Sequence, residues 1–131
     1  MIAVQKILLT GHRGFIGTHL YNRLIHLDVE GIDLLDGQDL LTCELPNQNF
    51  DVIIHLAGRS GVRESIDDPA AYWRNNVDAS RRLFERYPET RILYASSSSA
   101  YEPDLNPYAA SKYILEAVSY THLTLPTNRE V

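Results

Sequence analysis

The sequence predicts one α/β domain built on a doubly wound parallel sheet. Strand-like and helix-like patterns alternate along the chain, the order expected of parallel strands joined by crossover helices. The first strand-like run is apolar throughout, as in a strand covered on both faces. With 131 residues, 44% hydrophobic and 22% charged, the chain is large enough for one core and small for two.

Taken in order, KILLT (6–10) is the first strand, ending at Gly11. Apolar residues at Phe15, Ile16, Leu20, Leu24 and Leu27 then repeat at helical spacing, so a helix follows directly. VEGIDLL (29–35) and DVIIHLAG (51–58) read as the next two strands. Pro69 opens a helical pattern to about Tyr87, with Val77, Leu83 and Phe84 on its apolar side. RILYAS (91–96) is a fourth strand, and NPYAASKYILEAV (106–118) is a helix with proline at its opening. There are no internal repeats, and SSSS (96–99) is too short to count as low-complexity sequence.

Composition excludes several functions. A net charge of -5 with scattered basic residues argues against a nucleic-acid surface. The single cysteine, Cys43, excludes an internal disulfide and fits a reducing compartment. The opening MIAVQKILLTG reads as a strand rather than a secretion signal, and no apolar stretch is long enough to span a bilayer. The expected setting is cytoplasmic. His12, His19, His26, His55 and His122 show no metal-ligand spacing with carboxylates or cysteine, so no metal is expected. The last thirteen residues, SYTHLTLPTNREV, break the helix pattern with Thr121, Thr124 and Pro126. They resemble translated adapter read-through at the end of a gene assembled from environmental DNA; the bland alternative is a native helix end leading to a new strand. The domain is therefore expected to span 1–118, with 119–131 as a non-native tail.

The chemistry begins at TGHRGFIG (10–17). A strand turning tightly into a helix presents unpaired N–H groups and a partial positive charge, which suits a phosphate. Gly11 permits the turn, Gly14 lets a pyrophosphate approach the backbone, and Gly17 lets the helix pack closely on the strand. The cradle thus runs over Gly11, Gly14, Phe15, Ile16 and Gly17. Its spacing is G-x-x-G-x-x-G rather than G-x-G-x-x-G, and glycines also punctuate ordinary turns. Asp33 follows about 20 residues later, at the end of the second strand, where an acid accepts hydrogen bonds from adenosine ribose hydroxyls. The same acid repels a 2'-phosphate, so NAD is favoured over NADP, although Arg13 within the loop offers such a phosphate a partner. Asp33 is also a common kind of turn residue before Asp36-Gly37.

Five segments in order, TGHRGFIG, DVIIHLAG, NNV, YASSSSAY and YAASK, make the chain resemble the extended short-chain dehydrogenase/reductase superfamily, specifically its NAD-dependent nucleotide-sugar epimerase/dehydratase family. The resemblance covers Lys6 to about Val118. It implies a Rossmann-type sheet cut before a C-terminal lobe that grips a nucleotide-sugar, and a homodimer at full length. It implies cofactor contacts at Asp39 and Leu40 on adenine, at Leu56, Ala57 and Gly58 beneath the cofactor, and at Asn75 or Asn76 near the nicotinamide half. Without it, Asp39 reads equally as a cap, Ala57 and Gly58 as close packing, and Asn75 as a solvated helix face.

Tyr108 and Lys112, four residues apart on a helix, share a face. A nearby ammonium favours the phenolate of a tyrosine, so such a pair can take a proton from a sugar hydroxyl while hydride leaves the same carbon for the nicotinamide. The lysine can also hold the cofactor ribose. In an unknown helix the same pair is commonly a tyrosine packed on a lysine stem. The resemblance implies a hydroxyl on the reacting oxygen and assigns it to Ser97, with Ser96 and Ser98 as register alternatives. A serine-hydrolase reading fails for want of a G-x-S-x-G elbow.

The resemblance implies longer stretches between Asp33 and Asp39 and between Tyr101 and Tyr108 than this sequence has. The function expected is that of an NAD-dependent nucleotide-sugar epimerase or dehydratase, of which these residues form a fragment without turnover of its own. Alternatives are an NAD(P)-dependent reductase of keto-sugars or other alcohols, or a non-catalytic dinucleotide sensor; the sensor has no need of Ser97, Tyr108 and Lys112 together.

Overall fold

The computed structural model describes residues Lys6–His122, so much of the expected tail, 123–131, lies outside the described residues. Its described chain forms two compact units, one within Met1–Ala57 and Glu89–Ala95, the other within Gly58–Pro88 and Ser96–Val131.

The first unit holds a four-stranded, all-parallel sheet in the order β2-β1-β3-β4, formed by β1 (Lys6–Thr10), β2 (Asp28–Ile32), β3 (Val52–His55) and β4 (Arg91–Tyr94). Parallel neighbours need crossovers, and α1 (Phe15–Leu24) supplies the first, lying against β1 and β2. The order reverses at β1, whose C-terminal end therefore faces the point where ligands sit in such sheets. β1 is the central strand, with Leu8, Leu9 and Thr10 fully buried, which explains the uninterrupted apolar run.

Thr10 ties the strand ends together. Its hydroxyl accepts the Ala57 N–H at 3.1 Å and shares a hydrogen with His55 Nδ1 at 2.6 Å, while its carbonyl accepts the Leu56 N–H. A threonine and a histidine are thus buried at no net polar deficit, because each satisfies the other.

The second unit is helical: α2 (Val62–Asp67), α3 (Pro69–Trp73), a π-helical turn over Arg74–Asp78, α4 (Ala79–Arg86), a 3₁₀ turn over Ser98–Tyr101 and α5 (Pro107–His122). α5 touches α2, α3, α4 and both turns, so it is the hub of this unit. Asp68 caps α3 by accepting the Ala71 N–H, and Pro69 sits at the first helical position, where its missing N–H costs nothing.

Several boundaries differ from those the sequence predicts. The second strand stops at Ile32 rather than running to 35, because Asp33 caps a 3₁₀ turn over Leu34–Asp36 that closes on Gly37 at φ +80°. α1 ends at Leu24, and the chain enters β2 through a Leu27 N–H to Leu24 carbonyl bond. The single helix expected over 69–87 is α3 and α4 joined by the π turn. α2 has no counterpart in the sequence pattern, since six residues of VRESID show too little periodicity to reveal it. α5 continues past 118 to His122, with the Ser119 hydroxyl donating to the Glu116 carbonyl. Among the described residues no helix is long and apolar enough to cross a membrane.

Replacing Thr10 with valine keeps the strand shape but strands the Ala57 amide and one His55 nitrogen. Thr10→Val is expected to lower the free energy of urea unfolding by about 1–3 kcal/mol.

Candidate functional site

In the first unit the chain turns from β1 into α1 through a glycine loop. Gly11 has φ +77°, and a Cβ there would lie 2.8 Å from the Ala57 nitrogen. At Gly17 a Cβ would sit 1.9 Å from the Gly11 carbonyl oxygen, so the helix rests directly on the turn and only glycine fits. Gly14 differs. Its backbone is extended at φ -79°, and a Cβ would meet only the Gly11 carbonyl at an ordinary 3.5 Å. Packing does not demand glycine there.

The first intrahelical bond runs from Thr18 N–H to the Gly14 carbonyl at 2.9 Å. The amides of Phe15, Ile16 and Gly17 therefore have no acceptor within the helix, no side chain caps them, and the first turn carries no acid. Such an end attracts anions, phosphates above all. Phe15 and Ile16 are 84% and 65% exposed, so their side chains add nothing to the core and their backbone amides are what they bring to the turn.

Asp33 stands beside this loop. Its Oδ2 accepts the Arg13 N–H at 2.9 Å and its Oδ1 accepts the Leu35 N–H at 2.8 Å. The turn role and the ribose role are compatible, since each carboxylate oxygen keeps a further lone pair. Arg13 and His12 both reach Asp36, Arg13 Nη1 at 2.5 Å and His12 Nε2 at 3.2 Å. Asp39 accepts the Leu41 N–H at 3.0 Å, and Leu40 is buried. Leu56 and Ala57 leave β3 half-buried.

In the second unit α5 presents Tyr108 and Lys112 one turn apart. Lys112 Nζ lies 5.9 Å from the Tyr108 ring centroid. Lys112 is buried, and desolvation pushes its pKa below the ordinary lysine value. The Tyr108 ring stands edge-on to Tyr72 at 6.3 Å, and Tyr72, itself buried, donates its hydroxyl to the Ser60 carbonyl at 2.7 Å. Burial chiefly, then the Glu64 carboxylate, raises the Tyr72 pKa.

The two asparagines of NNV part company. Asn75 Nδ2 donates to Ala71 in its own helix, whereas Asn76 is 1% exposed and clamps the segment after Gly58. Asn76 Oδ1 accepts the Arg59 N–H at 2.7 Å, and its Nδ2 donates to the Arg59 carbonyl and to Ser111 Oγ. A Cβ on Gly58 would lie 2.9 Å from Asn76 Oδ1 and 3.9 Å from Lys112 Nζ. Gly58, Asn76, Ser111 and Lys112 thus form one cluster beside Tyr108, whose carbonyl accepts the Ser111 hydroxyl. Ser97 caps the 3₁₀ turn by accepting the Ser99 N–H at 3.1 Å, and Ser96 donates to Glu116. A hydroxyl that accepts one N–H still has its proton to give.

Sequence reasoning passed over Thr10, Tyr72 and Ser111. Tyr72 reads as one more apolar helix position, and the five-residue step from buried Tyr72 to buried Val77 is the one trace of the π turn in the apolar pattern. Among the described residues no cluster of three His, Cys, Asp or Glu side chains is placed to hold a metal.

The sequence matches the profile of the NAD dependent epimerase/dehydratase family over residues 7–122. The chain belongs to this family. As an NAD-dependent epimerase/dehydratase family member it is 30% identical to a bifunctional UDP-glucose 4-epimerase and UDP-xylose 4-epimerase of Arabidopsis thaliana, over 88% of this chain and 46% of the relative. Its fold resembles that of MoeE5, solved with UDP-glucose and NAD, at TM-score 0.76 and 30% identity over 92% of this chain and 50% of that one. RMD from Pseudomonas aeruginosa, solved with NADPH, superposes at TM-score 0.73 and 29% identity, over 90% of this chain and 48% of that protein. The chain spans about half the length of the curated relatives it matches.

Gly17→Ala is expected to cost about 3 kcal/mol or more in urea unfolding, since backbone must move to admit the methyl. Gly14→Ala should leave stability unchanged or raise it by up to about 1 kcal/mol. Lys112 gives a pH signature. Its folded pKa lies below the unfolded one, so the unfolded chain binds the extra proton and stability rises with pH across that interval, up to the ordinary value of 10.5. Lys112→Met should accordingly be more stable than the parent at neutral pH, with the advantage shrinking as pH climbs through the interval in a series of urea titrations.

Proposed function

We propose that the chain is the coenzyme-binding part of an NAD-dependent nucleotide-sugar epimerase or dehydratase of the extended short-chain type. The observation that carries this reading is the uncapped amide cradle at the start of α1 with Asp33 next to it. Its fit to a dinucleotide is supported by Gly14, where open space and glycine coincide without any packing need. Gly11, Gly14, Phe15, Ile16 and Gly17 would hold the diphosphate, and Asp33 the adenosine ribose. Asp39 and Leu40 would border adenine, with Leu56, Ala57 and Gly58 beneath the cofactor and Asn75, or its neighbour Asn76, toward the nicotinamide.

When bound, NAD supplies the hydride acceptor. Tyr108 would take the proton of the reacting sugar hydroxyl at its phenol oxygen, and the Lys112 ammonium would favour the phenolate needed for that. Ser97 would donate its hydroxyl hydrogen to the reacting oxygen. The placement of Lys112 Nζ 5.9 Å from the Tyr108 ring centroid supports this division of labour. The solved relative with UDP-glucose supports a nucleotide-sugar substrate. Cytoplasmic residence is supported by the lone Cys43.

In calorimetric titrations the 131-residue chain should bind NAD, and Gly14→Ala should weaken that binding at least about tenfold by crowding the diphosphate. The chain alone should not interconvert UDP-glucose and UDP-galactose. In a version extended by a substrate-binding half, Tyr108→Phe should abolish hydride transfer while changing the Kd for NAD by no more than about twofold. Equal turnover in parent and variant would remove Tyr108 from the mechanism; no heat with NAD would remove the reading altogether.

A further inference from the structure

We infer that Asp36 is a specificity-determining residue that disarms the only arginine of the glycine loop and so keeps the ribose end of the site closed to a 2'-phosphate. The inference rests on the coenzyme reading above and extends it to a residue outside the glycine pattern and the ribose acid.

Two side chains between Gly11 and Gly14 carry nitrogen donors, His12 and Arg13, and both turn to the same carboxylate. Asp36 Oδ1 takes Arg13 Nη1 at 2.5 Å, and Oδ2 takes His12 Nε2 at 3.2 Å. Arg13 is held at its other end as well, its backbone N–H donating to Asp33 Oδ2. The arginine is therefore fastened by two acids, at main chain and at side chain, on the 3₁₀ turn that Asp33 caps. His12 has a fixed seat too. Its ring lies over Gly31 of β2, where a Cβ would fall 2.5 Å from the ring, and it leans on Tyr21 at 5.4 Å.

Charge decides what this arrangement can accept. With Arg13 at +1 and Asp33 and Asp36 each at -1, the group carries a net negative charge before any ligand arrives. Ribose hydroxyls, which donate to Asp33, are welcome there; a phosphate carrying close to two negative charges is not. An arginine in a glycine loop, which by itself would favour NADP, is converted into a neutral partner. Arg13 remains half exposed, so the ion pair adds little to stability, and its effect falls on ligand choice instead. Removing Asp36 releases a guanidinium and deletes a repelling charge at one stroke.

The test is equilibrium binding of NAD and of NADP to the full chain by calorimetry at low salt, with urea unfolding to check that each variant is folded. The parent should bind NAD more tightly than NADP. Asp36→Ala should raise the NADP-to-NAD affinity ratio by about tenfold or more, the scale of one unit charge acting on a dianion across several ångströms of wet surface. Adding Arg13→Ala to Asp36→Ala should return most of that gain, because the freed arginine carries it. If the parent binds NAD and the ratio stays put in Asp36→Ala, or the double variant keeps the whole gain, the role of Asp36 is overturned while the coenzyme reading stands. If the parent binds neither dinucleotide, both fall together.

Discussion

The first unit depends on one close approach, that of the Gly17 backbone to the Gly11 carbonyl. A side chain at 17 would have to occupy space 1.9 Å from that oxygen, so α1 can start where it does only because nothing is there. Everything useful in the loop follows from this. The helix begins at once after the strand, its first amides are left without partners, and they emerge at the C-terminal end of the central strand of the sheet. Thr10 secures the same corner from the other side by binding the amides that lead out of β3.

The second unit is organised around a buried amide rather than a turn. Asn76 spends its donors and its acceptor on Arg59 and Ser111, and in doing so fixes the segment after Gly58 against α5. Glycine at 58 leaves room for that carboxamide and for the lysine ammonium near it. The result is a lysine largely kept from water one turn away from a tyrosine, and desolvation works against its charged form there.

The sheet was legible because its central strand is buried on both faces and its apolar run is unbroken, and the glycine loop because spacing and neighbours constrain each other. The family assignment agreed with the five ordered segments. What escaped were features that depend on hydrogen bonds between distant residues. The strand expected to reach 35 ends early because Asp33 prefers to cap, a choice that alternation of apolar residues does not encode. The π turn leaves little mark on the apolar pattern, and the separate fates of Asn75 and Asn76 are set by which of them meets Arg59 and Ser111. His12 looks like a spacer in the loop, and its seat on Gly31 becomes visible only when β2 lies beside β1.

The π turn over Arg74–Asp78 amounts to one residue more than a regular helix would use, wedged between α3 and α4. Such a wedge is absorbed within its own turn, so the helix on either side keeps nearly the phase it would have had without it. Loss of one residue there would restore an ordinary helix and leave Leu83 and Phe84 in the core, but it would take away the widened turn that carries Asn76. A chain shortened by that residue would keep its packing and lose its hold on the stretch after Gly58.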